Sequence, residues 1–197
     1  SIKESVSLIL DGVAGPVNPD QKKFLEIAKN NIERLIKIIM DILDFSKLEA
    51  GRITMHKRKL NINDTIKDVY KATEQVMEQN KIRFSMELSD RVESTWFDPD
   101  RIGQVLKNLI SNAVKFNKKE GSIIITSEKE SIDGSERIKV CVEDTGIGIP
   151  EEEFQNLFKH FTPLDSSITR RHPGAGLGLA ICKGIMDYHC GDIWVDS

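Results

Sequence analysis

The chain is 197 residues long, 39% hydrophobic and 30% charged, with a formal net charge of −3. That length allows one or two domains with a sizeable core, and the slight negative balance excludes general nucleic-acid affinity. No apolar run reaches the roughly 20 residues of a membrane-spanning helix, and the three cysteines, Cys141, Cys182 and Cys190, form no C-x-x-C pair, so neither a zinc site nor a disulfide framework is expected.

Ile2, Val6, Ile9 and Leu10 recur at helical spacing, so Ser1 to Leu10 reads as a helix. It carries no start signal, and is expected to be the remainder of a longer helix. Gly12, Gly15 and Pro16 break it. Asn18, Pro19 and Gln21 then form a capping-box-like start. The second helix runs from Pro19 to Leu48. One seam, Phe24, Ala28, Asn31, Leu35, Ile38, Ile42 and Phe45, alternates spacings of four and three as heptads do. Leu25, Ile32, Ile36, Ile39 and Leu43 widen that stripe beyond what one partner helix can cover. A helical hairpin over residues 1–50, paired with a second copy into a four-helix bundle, would bury it. A monomeric hairpin packed on the next domain is the alternative. Gly51 stops the helix and marks the boundary to a second domain, residues 51–197.

In that domain Ile53 to Leu60 reads as a weak strand, Asn63 to Gln79 as a helix, and Ile82 to Leu88 as an alternating strand. Asp98-Pro99 opens a helix to Phe116. Ser122 to Glu128 and Glu136 to Glu143 read as strands joined by an Asp133-Gly134 hairpin turn. Glu151 to His160 reads as a short helix, Leu177 to Tyr188 as a longer one, and Ile193 to Val195 as the start of a strand whose closing neighbour is absent. The order predicts an α+β sandwich, with a mixed sheet and helices on one face.

Three stretches carry chemistry. Gln104, Asn108 and Asn112 recur every four residues, on one helix face with Lys115 close by. Carboxamide oxygens at that spacing suit Mg²⁺, and equally suit a polar surface. Asp144-Thr145-Gly146-Ile147-Gly148 follows a strand. Its carboxylate can accept from an adenine amino group, and its glycines let backbone approach a flat base; a tight turn is the plainer alternative. Gly174-Ala175-Gly176-Leu177-Gly178 opens a helix after a polar stretch holding Arg170, Arg171 and His172. Backbone N–H groups there suit phosphate, or the stretch is an ordinary surface loop.

Taken in order, these residues give the chain a resemblance to sensor histidine kinases of the two-component type. Their catalytic domain shares the fold of the gyrase, heat-shock-ninety and mismatch-repair ATPases. Residues Asn108 to Phe116 resemble the family's N box, and Asp144 to Gly148 its first glycine box. Phe154, Leu157, Phe158 and Phe161 are similar to its F box, and Gly174 to Gly178 to its second glycine box. Ser46 to Gly51 is similar to the stretch joining the dimerisation helices to the kinase domain.

The resemblance implies ATP and Mg²⁺ as cofactors. Asn112 would hold the metal and Asn108 would lie near the phosphates. Asp144 would read the adenine amino group. Gly146, Gly148, Gly174, Gly176 and Gly178 would shape pocket and lid, while Lys115 and Arg170 or Arg171 would meet phosphates. Phe116, Ile149 and Leu177 complete the expected nucleotide-binding set. The F-box phenylalanines would hold the lid. It also implies a homodimer through residues 1–48, and a response regulator receiver domain docking near Ser5, Leu8, Ile9 and the start of the second helix. A cytoplasmic location follows, with membrane attachment only through parts of a longer parent.

Two departures stand out. None of the four histidines, His56, His160, His172 and His189, lies in the family's H-E-L-R-T-P-like segment, so the phosphoacceptor is expected outside this chain, which would bind ATP without phosphorylating itself. The usual closing strand is likewise expected outside this chain. The ATPases of the fold carry a general-base glutamate one turn before the metal-binding asparagine; here that place is Asn108, which cannot take a proton, so an ATPase of the same fold is the less favoured alternative, beside a dimeric nucleotide-binding signalling scaffold without kinase activity.

Overall fold

A computed structural model describes residues 1–132, 134–158 and 176–197. Two antiparallel helices come first, α1 (Ile2–Leu10) and α2 (Pro19–Glu49). Asn18 and Gln21 cap α2 reciprocally, side chain to backbone, at 2.8 and 2.9 Å, which satisfies two of the orphan donors at a helix start. Contrary to the sequence reading, α1 does have a cap, because the Ser1 hydroxyl accepts from Glu4 N at 3.4 Å. The end of α2 is a Schellman turn. Gly51, at φ +64°, donates to Leu48 O, and Arg52 N donates to Lys47 O. A side chain at that φ would be strained.

Beyond Gly51 come β1 (Arg58–Leu60), α3 (Ile62–Gln79), β2 (Arg83–Leu88), β3 (Thr95–Phe97) and α4 (Pro99–Lys115). Next are β4 (Ser122–Ile132), β5 (Ser135–Asp144), a 3₁₀ turn at Glu151–Glu153, and α5 (Gly178–Tyr188). β2 runs parallel to β4, with Arg83 opposite Ser122. β4 runs antiparallel to β5, with Ile123 opposite Asp144. The mixed sheet is therefore present, with α3 and α4 on one face. Its core is Ile66, Val69 and Met77 of α3, Ile102, Leu106 and Ile110 of α4, and Ile123 and Ile125 of β4.

Four strand and helix expectations change. Only Arg58–Leu60 of the predicted 53–60 strand is extended in a ladder, and it pairs with β3 in a separate two-stranded sheet. β3 is too short to show alternation and was not expected. The expected 151–160 helix is a single 3₁₀ turn followed by turn residues to 158, and Pro150 offers it no side-chain cap. Ile193–Val195 forms no ladder; Ile193 instead packs on a second core with Leu48 and Leu109. The Asp133-Gly134 turn is described only at Gly134, which has φ +77°.

That second core joins the two parts of the chain. Phe45 of α2 is buried with Val105 of α4 and Leu177, Ala180, Ile181, Cys182 and Ile185 of α5 and its approach. A Cβ on Gly184 would come 3.0 Å from Leu48, so α2 and α5 lie closer than a larger residue would allow. No helix among the described residues is long and apolar enough to cross a membrane.

Candidate nucleotide site

Three elements converge at the expected site, namely α4, the loop after β5, and the N-terminus of α5. α4 is started by Asp98, which is 2% exposed. Its Oδ1 accepts from Asp100 N and Arg101 N, and its Oδ2 accepts from His56 N at 2.7 Å. Burial would raise this carboxyl, but those three backbone donors and the Arg101 guanidinium outweigh it and hold it below the usual range. α4 is thus pinned at its start and presents Gln104, Asn108, Asn112 and Lys115 along one side.

The loop after β5 is tied to the far end of α4. Ile147 N donates to Phe116 O at 3.2 Å, and Gly146 N donates to Asp144 Oδ1 at 2.7 Å. A Cβ on Gly146 would lie 2.5 Å from both Asp144 Oδ1 and Phe116 O. Only glycine fits there. Asp144 is exposed, and one of its carboxylate oxygens, Oδ1, holds the turn. Gly148 takes φ +70°, and Ile149 N donates to the Ser197 hydroxyl at 2.8 Å.

A second tie was not foreseen. The Thr145 hydroxyl accepts from Ser122 N at 2.9 Å and donates to Asn117 Oδ1 at 3.1 Å, while Asn117 Nδ2 donates to Ser122 O at 3.1 Å. A Cβ on Gly121 would collide with Asn117 and Thr145. Asn117 and Thr145 therefore fasten the glycine loop to both the end of α4 and the start of β4. Their position directly after Phe116 and Asp144 was the available signal.

Asn108 meets α5. A Cβ on Gly178 would lie 2.5 Å from Asn108 Nδ2, and that same nitrogen donates to Cys182 Sγ at 3.3 Å. Burial pushes the Cys182 thiol up to about 11, so it stays protonated. The pair aligns Asn108 beside the first turn of α5, where Leu177 is the cap residue and gives no side-chain cap. Leu177 itself is core, 1% exposed, rather than a lining residue. Gly176 stands before it at φ +67°.

The Lys115 amine lies 4.7 Å from the centre of the Phe116 ring. Burial, then Lys37 and Arg34 of α2, hold it below the ordinary lysine range. Arg170, Arg171, Gly174 and Phe161 lie outside the described residues. Of the other F-box residues, Leu157 is buried, and Phe154 and Phe158 are half-buried. Among the described residues no three His, Cys, Asp or Glu side chains gather as a metal site, so the donors at hand for an ion are carboxamides.

Comparison with known proteins matches two family models. Residues 1–51 match the His Kinase A (phospho-acceptor) domain, and residues 97–197 the histidine kinase-, DNA gyrase B-, and HSP90-like ATPase family. This chain belongs to the histidine kinase family. Similar curated relatives include the circadian input-output histidine kinase CikA of Synechococcus elongatus. It is 34% identical over 97% of this chain and 25% of its own length. The signal transduction histidine-protein kinase BarA of Escherichia coli is 35% identical over 90% of this chain and 19% of its own length. The chain thus spans about a quarter or less of these kinases. Among solved structures, histidine kinase ThkA in complex with response regulator protein TrrA matches 99% of this chain and 55% of its own, at 29% identity and a TM-score of 0.69.

The donor chemistry of the residues present fits a magnesium-bound polyphosphate, since the α4 stripe offers neutral amide oxygens, and Gly146 has no room for a side chain between Asp144 Oδ1 and Phe116 O.

Proposed function

We propose that this chain carries the catalytic core of a sensor histidine kinase. Mg-ATP binds between α4, the Asp144 loop and the start of α5. Its γ-phosphoryl group passes to a histidine on a helical bundle, and then to an aspartate of a response regulator. The observation that carries this reading is Asn108. Its carboxamide sits at the α5 N-terminus, held by Gly178 and Cys182, where a hydrolase of this fold would need a proton-accepting carboxylate. Asp100 is the sole acid in α4, two turns before Asn108. The site therefore favours holding ATP for a nucleophile brought from elsewhere.

The residues divide the work by position. Asp144 accepts from the adenine amino group and would repel a guanine carbonyl at that place. Gly146 and Gly148 admit the base. Asn112 offers Oδ1 to magnesium, with Asn108 beside the phosphates. Magnesium, when bound there, would supply charge neutralisation to the polyphosphate. Lys115 and the first N–H groups of α5 oppose charge on the same polyphosphate. Arg170, Arg171 and Gly174 keep their proposed phosphate and lid roles. Catalysis on this account is positioning and electrostatics.

On this reading neither described histidine is the acceptor. His189 Nε2 accepts from Asp98 N at 3.0 Å, and its Nδ1 lies 2.8 Å from Ile185 O, which assigns the Nδ1–H tautomer and occupies both nitrogens. His56 lies beside Asp98, to which its backbone N–H donates. The apolar face of α2 supports a homodimer through residues 1–48, because Phe24, Leu35 and Ile39 stay exposed within one chain. ThkA was captured with a response regulator; here the exposed Ser5 and Leu8 with Ile9 are the proposed docking residues. A cytoplasmic location, with any membrane attachment through other parts of a longer protein, completes the proposal.

Asp144→Asn tests it. Calorimetric titration with Mg-ATP should show at least about a tenfold loss of affinity, with circular dichroism and self-association unchanged. Unchanged affinity would remove Asp144 from the adenine role.

A further inference from the structure

Two carboxamides one turn apart on α4, Gln104 and Asn108, are held in different ways. Gln104 is spent at both ends. Its Oε1 accepts from Arg101 Nη1 at 3.0 Å, and its Nε2 donates to Asp44 of α2 at 2.9 Å. The same Asp44 carboxylate meets Arg101 Nη1 at 3.4 Å. Asn108 makes a single side-chain hydrogen bond among the described residues, from Nδ2 to Cys182 Sγ at 3.3 Å. Its nitrogen is engaged and its oxygen is not.

α5 clamps that carboxamide from two positions. A Cβ on Gly178 would lie 2.5 Å from Nδ2, 2.7 Å from Oδ1 and 3.0 Å from Cγ, so all three amide atoms lie against the bare glycine. Cys182 follows Gly178 by one helical turn and stands on the same face. It is 1% exposed, in the core that Phe45 of α2, Val105 of α4 and Ile181 also build. A thiol is at home there because it behaves as a small apolar group. Of the two partners the amide N–H is the stronger donor, and the sulfur can accept it. The glycine thus fixes where the amide lies, and the sulfur fixes which of its two ends faces the core.

We infer that Cys182 is a positioning residue of the nucleotide site, whose sulfur holds the Asn108 amide nitrogen and so leaves the carboxamide oxygen as the atom that Asn108 offers to a magnesium-bound polyphosphate. The inference rests on the nucleotide reading above. It adds that a buried side chain, itself out of reach of the nucleotide, sets the polarity of a group beside the phosphates. With the amide turned round, an N–H would stand where an oxygen donor suits the ion.

The test compares Cys182→Ser with Cys182→Ala, side chains of similar size of which only serine keeps an acceptor. Parent and variants are titrated calorimetrically with Mg-ATP, adenosine binding is followed by NMR shifts, and the Asn108 side-chain amide signal is read without nucleotide. C182A should bind Mg-ATP about fivefold more weakly, with its Asn108 amide signal displaced. C182S should stay close to the parent, and adenosine binding should be unchanged in both. C182V refills the space that alanine leaves without restoring an acceptor, so it should repeat the C182A loss even where alanine lowers the thermal melt. Equal Mg-ATP affinity in C182S and C182A would overturn the inference, since packing alone treats the two alike. So would an Asn108 signal unmoved by C182A, or an equal loss with adenosine; each of these leaves the nucleotide site standing. A parent chain that binds no Mg-ATP would overturn both.

Discussion

The two ends of α2 carry the same heptad lettering and meet opposite surroundings. From Phe24 to Leu43 the apolar seam is open; Phe24 is 69% and Leu35 57% exposed. Two residues past Leu43, Phe45 is 7% exposed, packed against α4 and α5. A periodic apolar stripe therefore states that a face needs covering, not what covers it. Here one helix serves two interfaces. Its last turns belong to the catalytic part through Phe45, Leu48 and the Asp44–Arg101–Gln104 contacts. Its earlier turns leave a face for a second copy.

Phe45→Ala should break that difference most. It removes the α2 anchor from the second core and should cost about 3–4 kcal/mol in chemical denaturation. A loss under about 1 kcal/mol would mean that the downstream end is no better packed than the upstream one.

Asp98→Asn tests the support of the same interface from the α4 side. Replacing an oxygen that accepts from His56 N with an amide should cost about 2 kcal/mol at neutral pH. The folded carboxyl lies below its unfolded value of about 3.9. Its contribution is therefore present above that value and is lost as pH falls through the folded value. Stability curves of parent and variant should converge below about pH 4. Parallel curves down to acid would show that the charge contributes nothing.

The smallest expected effect on the fold sharpens the comparison from the other end. L35S/I39S should change monomer stability by less than about 0.5 kcal/mol, since both positions are exposed in one chain. It should nonetheless shift sedimentation from dimer toward monomer. A large loss of monomer stability would place the upstream face inside the single-chain fold.

Much of the site could be read from the sequence because its signals are short. Asn18 with Gln21, and Asp98 with Pro99, announce helix starts within three residues, and both caps form. Gly146 was named for close backbone approach, and a Cβ there would strike Asp144 and Phe116. Asn108, Asn112 and Lys115 needed only the helical period to share a face. The strand expected at Ile193–Val195 failed on the same ground reversed. Alternation reports two faces, but a strand exists by its ladder, and Ile193 found a core position instead.

By itself, then, the sequence determined the capped starts of α2 and α4 and which helix faces are apolar. Each of these is decided within four residues along the chain, whereas Gly146 and Gly178 are kept bare by Phe116 and Asn108, 30 and 70 residues away. Tertiary structure alone decided the pairing of β1 with β3 and the fastening of Thr145 to Asn117 and Ser122, 28 and 23 residues apart. It also decided the contact of α2 with α4 through Asp44 and Gln104, 60 residues apart. Those contacts are made by polar groups that any surface could display. For Asp44 and Gln104, the packing of Phe45 with Val105 and Ile181 brings them within hydrogen-bonding reach.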